Sequence, residues 1–262
     1  MTIRLIPHRF GQMSEGKTMT INVQRTHDHK IYLNEDRYAE PVVKEIHKIL
    51  ASDAIESGVL QDGSIVCDFG CATGEFEYHL AGRFPGAKYH GYDVVPELVK
   101  KARQMVPNAV FEEGSVLNKE LLAPNFADIS FMIGVHAGFD DFVPSFSNLI
   151  NWTKKGGRIY VFGPFNPNPV DVWAVCRRAD DSDPTHREPG WNIFSKATVG
   201  QFLDEAVGKG NYEFRAFEMP FDLPPHADDP LRSWTFLDQQ GRRQLTSGLG
   251  LTFPMEFLEI RP

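Results

Sequence analysis

The sequence predicts an α/β fold: a doubly wound, mostly parallel sheet of seven strands, with helices on both faces and an antiparallel last strand. Two observations lead to this prediction. Short apolar runs alternate with segments of helical periodicity between residues 34 and 162, as in chains that build a parallel sheet through crossover helices. The length of 262 residues and the hydrophobic content of 42% suit one large domain with a substantial core.

Each element of the first half follows from a local pattern. Apolar runs bounded by turn residues predict strands at 65–68, 87–93, 109–112, 128–133 and 158–162. Apolar residues at helical spacing predict helices at 34–50, 75–84, 96–105 and 140–152. Pro96 and Pro144 fit because proline is tolerated in the first turn of a helix. Turn residues at 154–157 separate the last of these helices from the fifth strand.

The second half departs from this alternation. The pattern predicts a helix at 170–178, an acidic loop at 179–190, a helix capped by Ser195, and strands at 212–221 and 251–260. Residues 234–237 and 242–245 flank a turn at 238–241 and predict a hairpin. Residues 26–262 are expected to form one domain with insertions at about 164–195 and 222–250, after a flexible arm at 1–25. Because long connections at ligand-bearing strand ends often determine specificity, the helix and hairpin of this half are expected to cover the substrate site.

Charge and cysteine content exclude several function classes. A formal net charge of −8 disfavours nonspecific binding to nucleic acid and to anionic membrane surfaces. No apolar run approaches the ~18 residues of a membrane span, and the N-terminus lacks a secretory signal, so we expect a cytoplasmic protein. Three cysteines do not make a disulfide framework, and Cys67 and Cys71 lack a second Cys/His pair for a metal. No metal is expected, because no metal-ligand spacing is found among His186, His226, Asp228 and Asp229.

Residues 65–76, IVCDFGCATGEF, form the most informative pattern: a buried strand, an acid, a glycine-containing turn and a helix N-terminus. A dinucleotide site instead reads Gly-x-Gly-x-x-Gly and holds a pyrophosphate with backbone N–H groups and the helix dipole. The Asp68 carboxylate would repel a pyrophosphate but suits an ammonium group, while the helix N-terminus suits a carboxylate. S-adenosylmethionine (SAM) has both groups on its methionine end.

This segment resembles motif I of the class I SAM-dependent methyltransferases, whose usual form is Asp/Glu-x-Gly-x-Gly-x-Gly. The resemblance implies that the cofactor site includes Asp68, Gly70, Cys71, Ala72 and Gly74. Ala72 replaces the middle glycine of the motif, which leaves the turn plausible unless that position requires a positive φ. The resemblance extends over about residues 36–162 and the last two strands.

The next two strand ends also match the family. Asp93 ends the second strand, with Val94 after it, and an acid at this place in the family accepts hydrogen bonds from the SAM ribose diol. A helix-capping role for Asp93 is the alternative, and the two roles are compatible. Ser115 and Val116 follow the third strand, and the resemblance implies that they contact the adenine.

The fourth strand leads to the acceptor side of the site. By resemblance, Ile133 and Gly134 line the cofactor near its sulfonium, and His136 lies where class I enzymes bind the acceptor. A histidine could remove a proton from a hydroxyl or an amine there, and a packing role is the alternative. Many small-molecule members close the site with an N-terminal helix whose aromatic residue contacts the methionine end of SAM, and Tyr38 is the candidate for this contact.

The function that these features predict is transfer of a methyl group from SAM to an oxygen or nitrogen atom of a small molecule. The expected partner is therefore a small-molecule acceptor, with no nucleic acid and no membrane, and a homodimer is left open. A non-catalytic SAM-binding module that regulates a partner would show the same sequence features as a methyltransferase. An NAD(P)-dependent oxidoreductase fits less well, because both Gly-x-Gly-x-x-Gly and a Tyr-x-x-x-Lys pair are missing.

Overall fold

The computed structural model describes residues 32–33, 43–227 and 229–262. The strands are β1 Ile65–Phe69, β2 Lys88–Asp93, β3 Val110–Glu113, β4 Ala127–Ile133, β5 Thr153–Asn166, β6 Val175–Cys176, β7 Glu188–Pro189, β8 Phe194–Ser195, β9 Tyr212–Ala216, β10 Trp234–Leu237, β11 Arg243–Thr246, β12 Thr252–Phe253 and β13 Met255–Ile260. The helices are α1 Glu45–Glu56, α2 Glu75–Arg83, α3 Pro96–Met105, α4 Val143–Trp152 and α5 Lys196–Ala206, with a 3₁₀ turn at His136–Gly138.

The main sheet has eight strands, in the order β3-β2-β1-β4-β5-β13-β9, with the two-residue strand β8 pairing beside β5. Strands β1 to β5 pair in parallel, and β13 lies antiparallel between β5 and β9. The predicted doubly wound sheet with an antiparallel last strand is therefore confirmed, and β8 is an addition to it. This order leaves the carboxyl ends of β1, β2 and β4 side by side at one edge, where open α/β sheets bind ligands.

Helices pack on both faces of the sheet. One face buries the apolar sides of α1 and α2, with Leu50 and Leu80 against Phe131 of the central strand β4. The opposite face buries α4 and α5, with Leu149 and Leu203 in its core cluster. Because the central strands are buried on both faces, their sequences read as almost continuous apolar runs, which explains why the pattern predicts them well.

Most predicted elements of the first half are present with shifted ends. Strand β5 begins at Thr153 and includes the predicted turn at 154–157. Its pairing with β4 jumps from Ala127↔Thr153 to Ile129↔Arg158, so the predicted turn is an irregularity within the paired strand, where Gly156 adopts φ 79°. The predicted arm at 1–25 and the capped start of the first helix at 34–36 lie outside the described residues.

The predicted helix at 170–178 is wrong. Val172 instead forms a bridge with Ile193, and β6 pairs with β7. The β-branched valines of this segment favour extended backbone, and strand pairing satisfies backbone groups that a short isolated helix would leave open at its ends. The predicted acidic loop between β6 and β7 is present, apart from the two residues of β7.

The remaining elements of the second half are present with changed bounds: the strand predicted at 212–221 ends at Ala216, and the one predicted at 251–260 is divided into β12 and β13. Ser195 caps α5 by accepting a hydrogen bond from the Thr198 backbone N–H at 3.0 Å. Strands β10 and β11 form the predicted antiparallel hairpin, which β12 extends to a three-stranded sheet. Within the described ranges, no helix combines the length and the apolar character that a membrane span requires.

Candidate cofactor and acceptor site

The turn between β1 and α2 has an unusual backbone. Gly70, Ala72 and Gly74 all adopt positive φ, at 83°, 47° and 76°. The Gly70 and Cys71 N–H groups donate to the carbonyl of Tyr92, at 2.7 and 3.2 Å, which ties the turn to the end of β2. A side chain at Gly70 would not fit, since its Cβ would lie 2.3 Å from Cγ2 of Val135, after β4. The turn is thus packed against the ends of both neighbouring strands.

Ala72 occupies a position that does require a positive φ. The left-handed region costs an L-residue other than glycine roughly 1–2 kcal/mol. The departure from the glycine motif therefore introduces local strain, which the surrounding hydrogen bonds must offset. One of them comes from the Ala72 N–H, which donates to Oδ2 of Asp93 at 2.9 Å.

Asp93 lies at the end of β2 and is buried. Its second oxygen, Oδ1, accepts the Val95 N–H at 3.0 Å. The residue that caps α3 is Val95, with proline in the first turn, so Asp93 supports the helix start without being its cap. Since a carboxylate oxygen has two lone pairs, a carboxylate can accept more than one hydrogen bond on each oxygen. A ribose diol offers two such donors, so the carboxylate fits the predicted role.

Asp68 is buried at the end of β1, and its Oδ1 has no hydrogen-bond partner among the described residues. Burial, and next the negative charge of Asp93, raise its pKa to about 8, while Lys44 acts in the opposite direction. A buried acceptor without a donor is costly, and a charged one more so. A cationic ligand group would satisfy this oxygen, so the site fits the ammonium end of SAM on an observation independent of the motif.

The predicted adenine-side residues follow β3. The Ser115 hydroxyl accepts the Leu117 N–H at 3.2 Å, and Val116 is buried with its carbonyl bonded to Nδ2 of Asn148 at 2.8 Å. The Gly114 N–H donates to the carbonyl of Asp93 at 2.9 Å, which ties this loop to the end of β2. The structure thus brings the two predicted loops together at one edge of the sheet.

Other predicted cofactor residues lie around the same edge. Cys71 is buried as a free thiol, and Val94 is exposed just after β2. Ile133 is half-buried at the end of β4, and Gly134 follows with φ 72° and its N–H bonded to the Phe162 carbonyl at 2.8 Å. These positions are compatible with their predicted roles, which stay predictions. Tyr38 lies outside the described residues.

His136 is fully buried in the 3₁₀ turn after β4. Its ring stacks on Phe165 with centroids 4.5 Å apart, Nε2 lies 3.2 Å from the Pro164 carbonyl oxygen, and Nδ1 has no partner within the described ranges. Burial lowers its pKa to about 4. A Cβ on Gly163 would lie 2.3 Å from the ring, so a glycine there leaves room for it. The base role stays a prediction, and this burial favours the packing alternative.

The segment after β5 returns over this edge and is attached to it by hydrogen bonds. The Asn192 N–H donates to the carbonyl of Ala137 at 2.8 Å, and its side-chain amide donates to the carbonyl of Phe139 at 2.8 Å. Asp171 accepts a hydrogen bond from Oγ1 of Thr198 at 2.8 Å. These contacts place the first insertion beside the acceptor side of the edge, as a cover for the site would require.

Glu77 is a buried charged residue that the sequence analysis missed. It lies in the first turn of α2 beside the core residues Phe76 and Leu80, and neither of its carboxyl oxygens has a hydrogen-bond partner among the described residues. A glutamate within one helical turn of two core-facing residues is a signal that periodicity could have provided. Burial, and next the charge of Asp68, raise the pKa of Glu77 well above its usual value.

A partly exposed group of possible metal ligands lies elsewhere, in the first insertion. Ligand atoms of Asp181, His186 and Glu188 all lie within 4.8 Å of one another. The Asp181 carboxylate makes a short contact with Nδ1 of His186, which raises the pKa of the histidine and lowers that of the aspartate. An ion pair accounts for the contact between Asp181 and His186.

Comparisons with known proteins agree with this geometry. Residues 60–177 match a family model described as a methyltransferase domain. A demethylmenaquinone methyltransferase of Chlorobaculum parvum is 33% identical over 106 residues, which cover 40% of this chain and 43% of the relative. A trans-aconitate 2-methyltransferase of Afipia carboxidovorans is 31% identical over 101 residues, 38% of this chain and 39% of the relative. The chain thus spans about two fifths of the length of these curated relatives.

Solved structures share the fold at low sequence identity. The YcgJ protein of Bacillus subtilis superposes with a TM-score of 0.51 at 16% identity, over 82% of this chain and 97% of that protein. A Bacillus halodurans protein gives a TM-score of 0.51 at 13% identity, over 80% and 96% of the two chains. The domain match, the relatives and the strand order agree, and residues 60–177 of the chain form a methyltransferase domain.

Proposed function

We propose that this protein transfers a methyl group from SAM to an oxygen or nitrogen atom of a small-molecule acceptor. The observation that supports this most is the edge formed by β1 and β2. There, a glycine turn bonded to Asp93 lies beside Asp68, a buried carboxylate with an unpartnered oxygen. A carboxylate pair at these two strand ends suits a ligand that has both an ammonium group and a ribose diol.

Each part of the edge has a place in this proposal. Asp68 faces the ammonium group of the cofactor, and Asp93 accepts hydrogen bonds from the ribose hydroxyls while still holding the Ala72 N–H. Ser115 and Val116 flank the adenine. Gly134, at the end of β4, leaves room for the sulfonium, since a Cβ there would meet no atom within 4 Å.

The chemistry requires alignment more than proton transfer. SAM supplies an activated methyl group, which the acceptor atom attacks in line with the departing sulfur. The protein holds the two reactants in this geometry and excludes water, which accounts for much of the rate in reactions of this kind. The buried ring of His136 contributes by packing, and the segment attached through Asn192 covers the acceptor side.

The acceptor class is inferred from charge and from the relatives. The net charge of −8 disfavours nucleic acid as the acceptor. The names of the curated relatives refer to demethylmenaquinone and trans-aconitate, which are both small molecules. The single domain over 26–262 and the homodimer stay predictions.

A second candidate function is SAM binding without catalysis, in which the domain regulates a partner. The burial of His136 favours it, because the residue nominated as a base is not accessible to an acceptor in this conformation. The cofactor edge would be unchanged in such a module, so only turnover distinguishes the two functions.

Calorimetric titration and a methyl-transfer assay test the proposal together. SAM and S-adenosylhomocysteine should bind, and NAD should not. Release of S-adenosylhomocysteine in the presence of small hydroxyl, carboxyl and amine compounds should identify an acceptor. Tight NAD binding without SAM binding would overturn the proposal, and SAM binding without turnover on any screened acceptor would favour the regulatory module.

A further inference from the structure

Glu77 lies directly behind the cofactor edge, on the same face of the sheet as Asp68. Asp68 pairs with Gly91 in the β1–β2 register. A Cβ built on Gly91 would lie 2.6 Å from Oε1 of Glu77 and 2.4 Å from the Phe111 ring. Gly91 therefore leaves its side-chain space to Glu77, whose carboxyl group lies over β2 beside the position of Asp68. Both carboxyl groups are buried and have unpartnered oxygens within the described part of the chain.

Within the part of the chain that the structure describes, the groups around Glu77 supply little positive charge. Asp68 on β1 and Asp93 at the end of β2 are acidic, and the Cys67 and Cys71 thiols have pKa values raised mainly by burial. Lys44 precedes α1 and forms an ion pair with Glu75 at 3.0 Å, so its charge is shared. The N-terminus of α2 favours an anion, but two buried carboxylates without a full counter-charge are costly. One member of the pair therefore keeps a proton.

We propose that Glu77 is a positioning residue of the cofactor site, which stays a neutral carboxylic acid and donates a hydrogen bond to Asp68 once Asp68 ionises against the ammonium group of SAM. This inference rests on the proposed function, because it assigns a role in the binding of that cofactor. The donated hydrogen bond and the ammonium group then share the Asp68 carboxylate, which leaves one negative charge facing one positive charge.

Two substitutions show whether Glu77 acts as a neutral hydrogen-bond donor, as an anion or only by packing. Glu77→Gln keeps a neutral donor of similar shape, so the affinity for S-adenosylhomocysteine should stay near the native value. Glu77→Leu fills the space without a donor, so the affinity should fall about tenfold or more, the usual effect of losing a hydrogen bond to a charged group. The thermal stability of Glu77→Leu should be unchanged or higher, because an unpartnered buried carboxyl is replaced by an apolar group. The exposed Glu120→Gln is the matched control.

Infrared spectroscopy of the complex gives an independent measurement. The native complex should show the C=O stretching band of a protonated carboxylic acid at neutral pH, and Glu77→Gln should lose it. Glu120→Gln should keep the band, since that side chain is exposed. The band reports the protonation state of the carboxyl group directly. A purely structural role of Glu77 would not require the protonated state.

The outcomes decide between the alternatives. Unchanged affinity in Glu77→Leu would overturn the positioning role, and a tenfold loss in Glu77→Gln would show that Glu77 acts as a second anion. Either result would leave the proposed function standing, since the native protein would still bind the cofactor. If the native protein binds neither SAM nor S-adenosylhomocysteine, the proposed function fails, and this inference fails with it.

Discussion

The two halves of the ligand edge are built in different ways. At the ends of β1 and β2, strained turns and carboxyl groups face the edge, and the Asp68 oxygen lacks a donor among the described residues. At the ends of β4 and β5, His136 is enclosed by Phe165 and Pro164 and does not reach the surface. The first half holds polar groups that need a ligand, whereas the second is packed like a core.

This difference indicates which half binds the cofactor and which half selects the acceptor. The half at the ends of β1 and β2, the proposed cofactor half, has strained backbone and buried acidic groups without full counter-charge. This arrangement lowers stability and suits one fixed ligand. The acceptor half holds its named polar group, His136, in the core, so we expect acceptor choice to depend on the segments attached around Asn192 and Asp171. Substitutions in the first half should therefore change SAM affinity, and substitutions at His136 should mainly change stability.

Gly70→Val is expected to have the largest effect and to abolish measurable SAM binding. Gly70 has φ 83°, and its Cβ would lie 2.3 Å from Val135, so the turn must move. Gly58→Val is the matched control, because Gly58 has φ 72° with no atom near its Cβ position. Titration calorimetry with circular dichroism should show lost binding and a retained fold for the first variant, and native binding for the second. Native affinity in folded Gly70→Val would contradict the proposed turn.

Asp93→Ala should lower SAM affinity at least tenfold, since a charge-assisted contact contributes about 1.5–3 kcal/mol per hydrogen bond. It also removes the acceptor of the Ala72 and Val95 N–H groups, so the free energy of unfolding should fall. Asp128→Ala is the control, because Asp128 accepts the Ile65 N–H at the opposite edge of the sheet. It should lose stability and keep SAM affinity. If Asp93→Ala binds SAM as tightly as Asp128→Ala does, Asp93 does not contribute to SAM binding.

The positions of the candidate cofactor residues could be predicted from the sequence because they depend on local patterns. Asp68, Gly70 and Asp93 lie in or directly after strands whose apolar runs are distinct, and strand order then places them together. The segment at 170–178 was mispredicted because its conformation depends on pairing with Ile193 and β7, which no local pattern shows. Glu77 was missed because its burial follows from the packing of α2 on β2 rather than from a motif.

His136→Phe should leave turnover nearly unchanged, because the ring is buried in the core and a pKa lowered to about 4 makes it a weak base. A general base would instead contribute ~10²-fold or more, and its loss would flatten the pH–rate profile. Stability gives a second readout. The folded protein binds fewer protons at His136 than the unfolded chain between pH 6.5 and about 4, so native stability falls as pH drops through this window. That part of the pH dependence should disappear in His136→Phe.

Ala72→Gly is expected to have the smallest effect, a gain of about 0.5–1 kcal/mol in the free energy of unfolding, because glycine relieves the strain at positive φ. Ala102→Gly, in the middle of α3, is the control and should lose about 1 kcal/mol or more. Urea denaturation of both variants checks the prediction. Loss of stability in Ala72→Gly would mean that the alanine side chain contributes more than the strain costs.

A crystal structure with S-adenosylhomocysteine would show directly whether the ends of β1 and β2 bind the cofactor. We expect the amino group to lie within hydrogen-bond distance of Asp68. The ribose hydroxyls should donate to the Asp93 carboxylate, which still accepts the Ala72 N–H. A ligand bound elsewhere, or one at this edge that leaves both carboxylates without contact to it, would contradict the account.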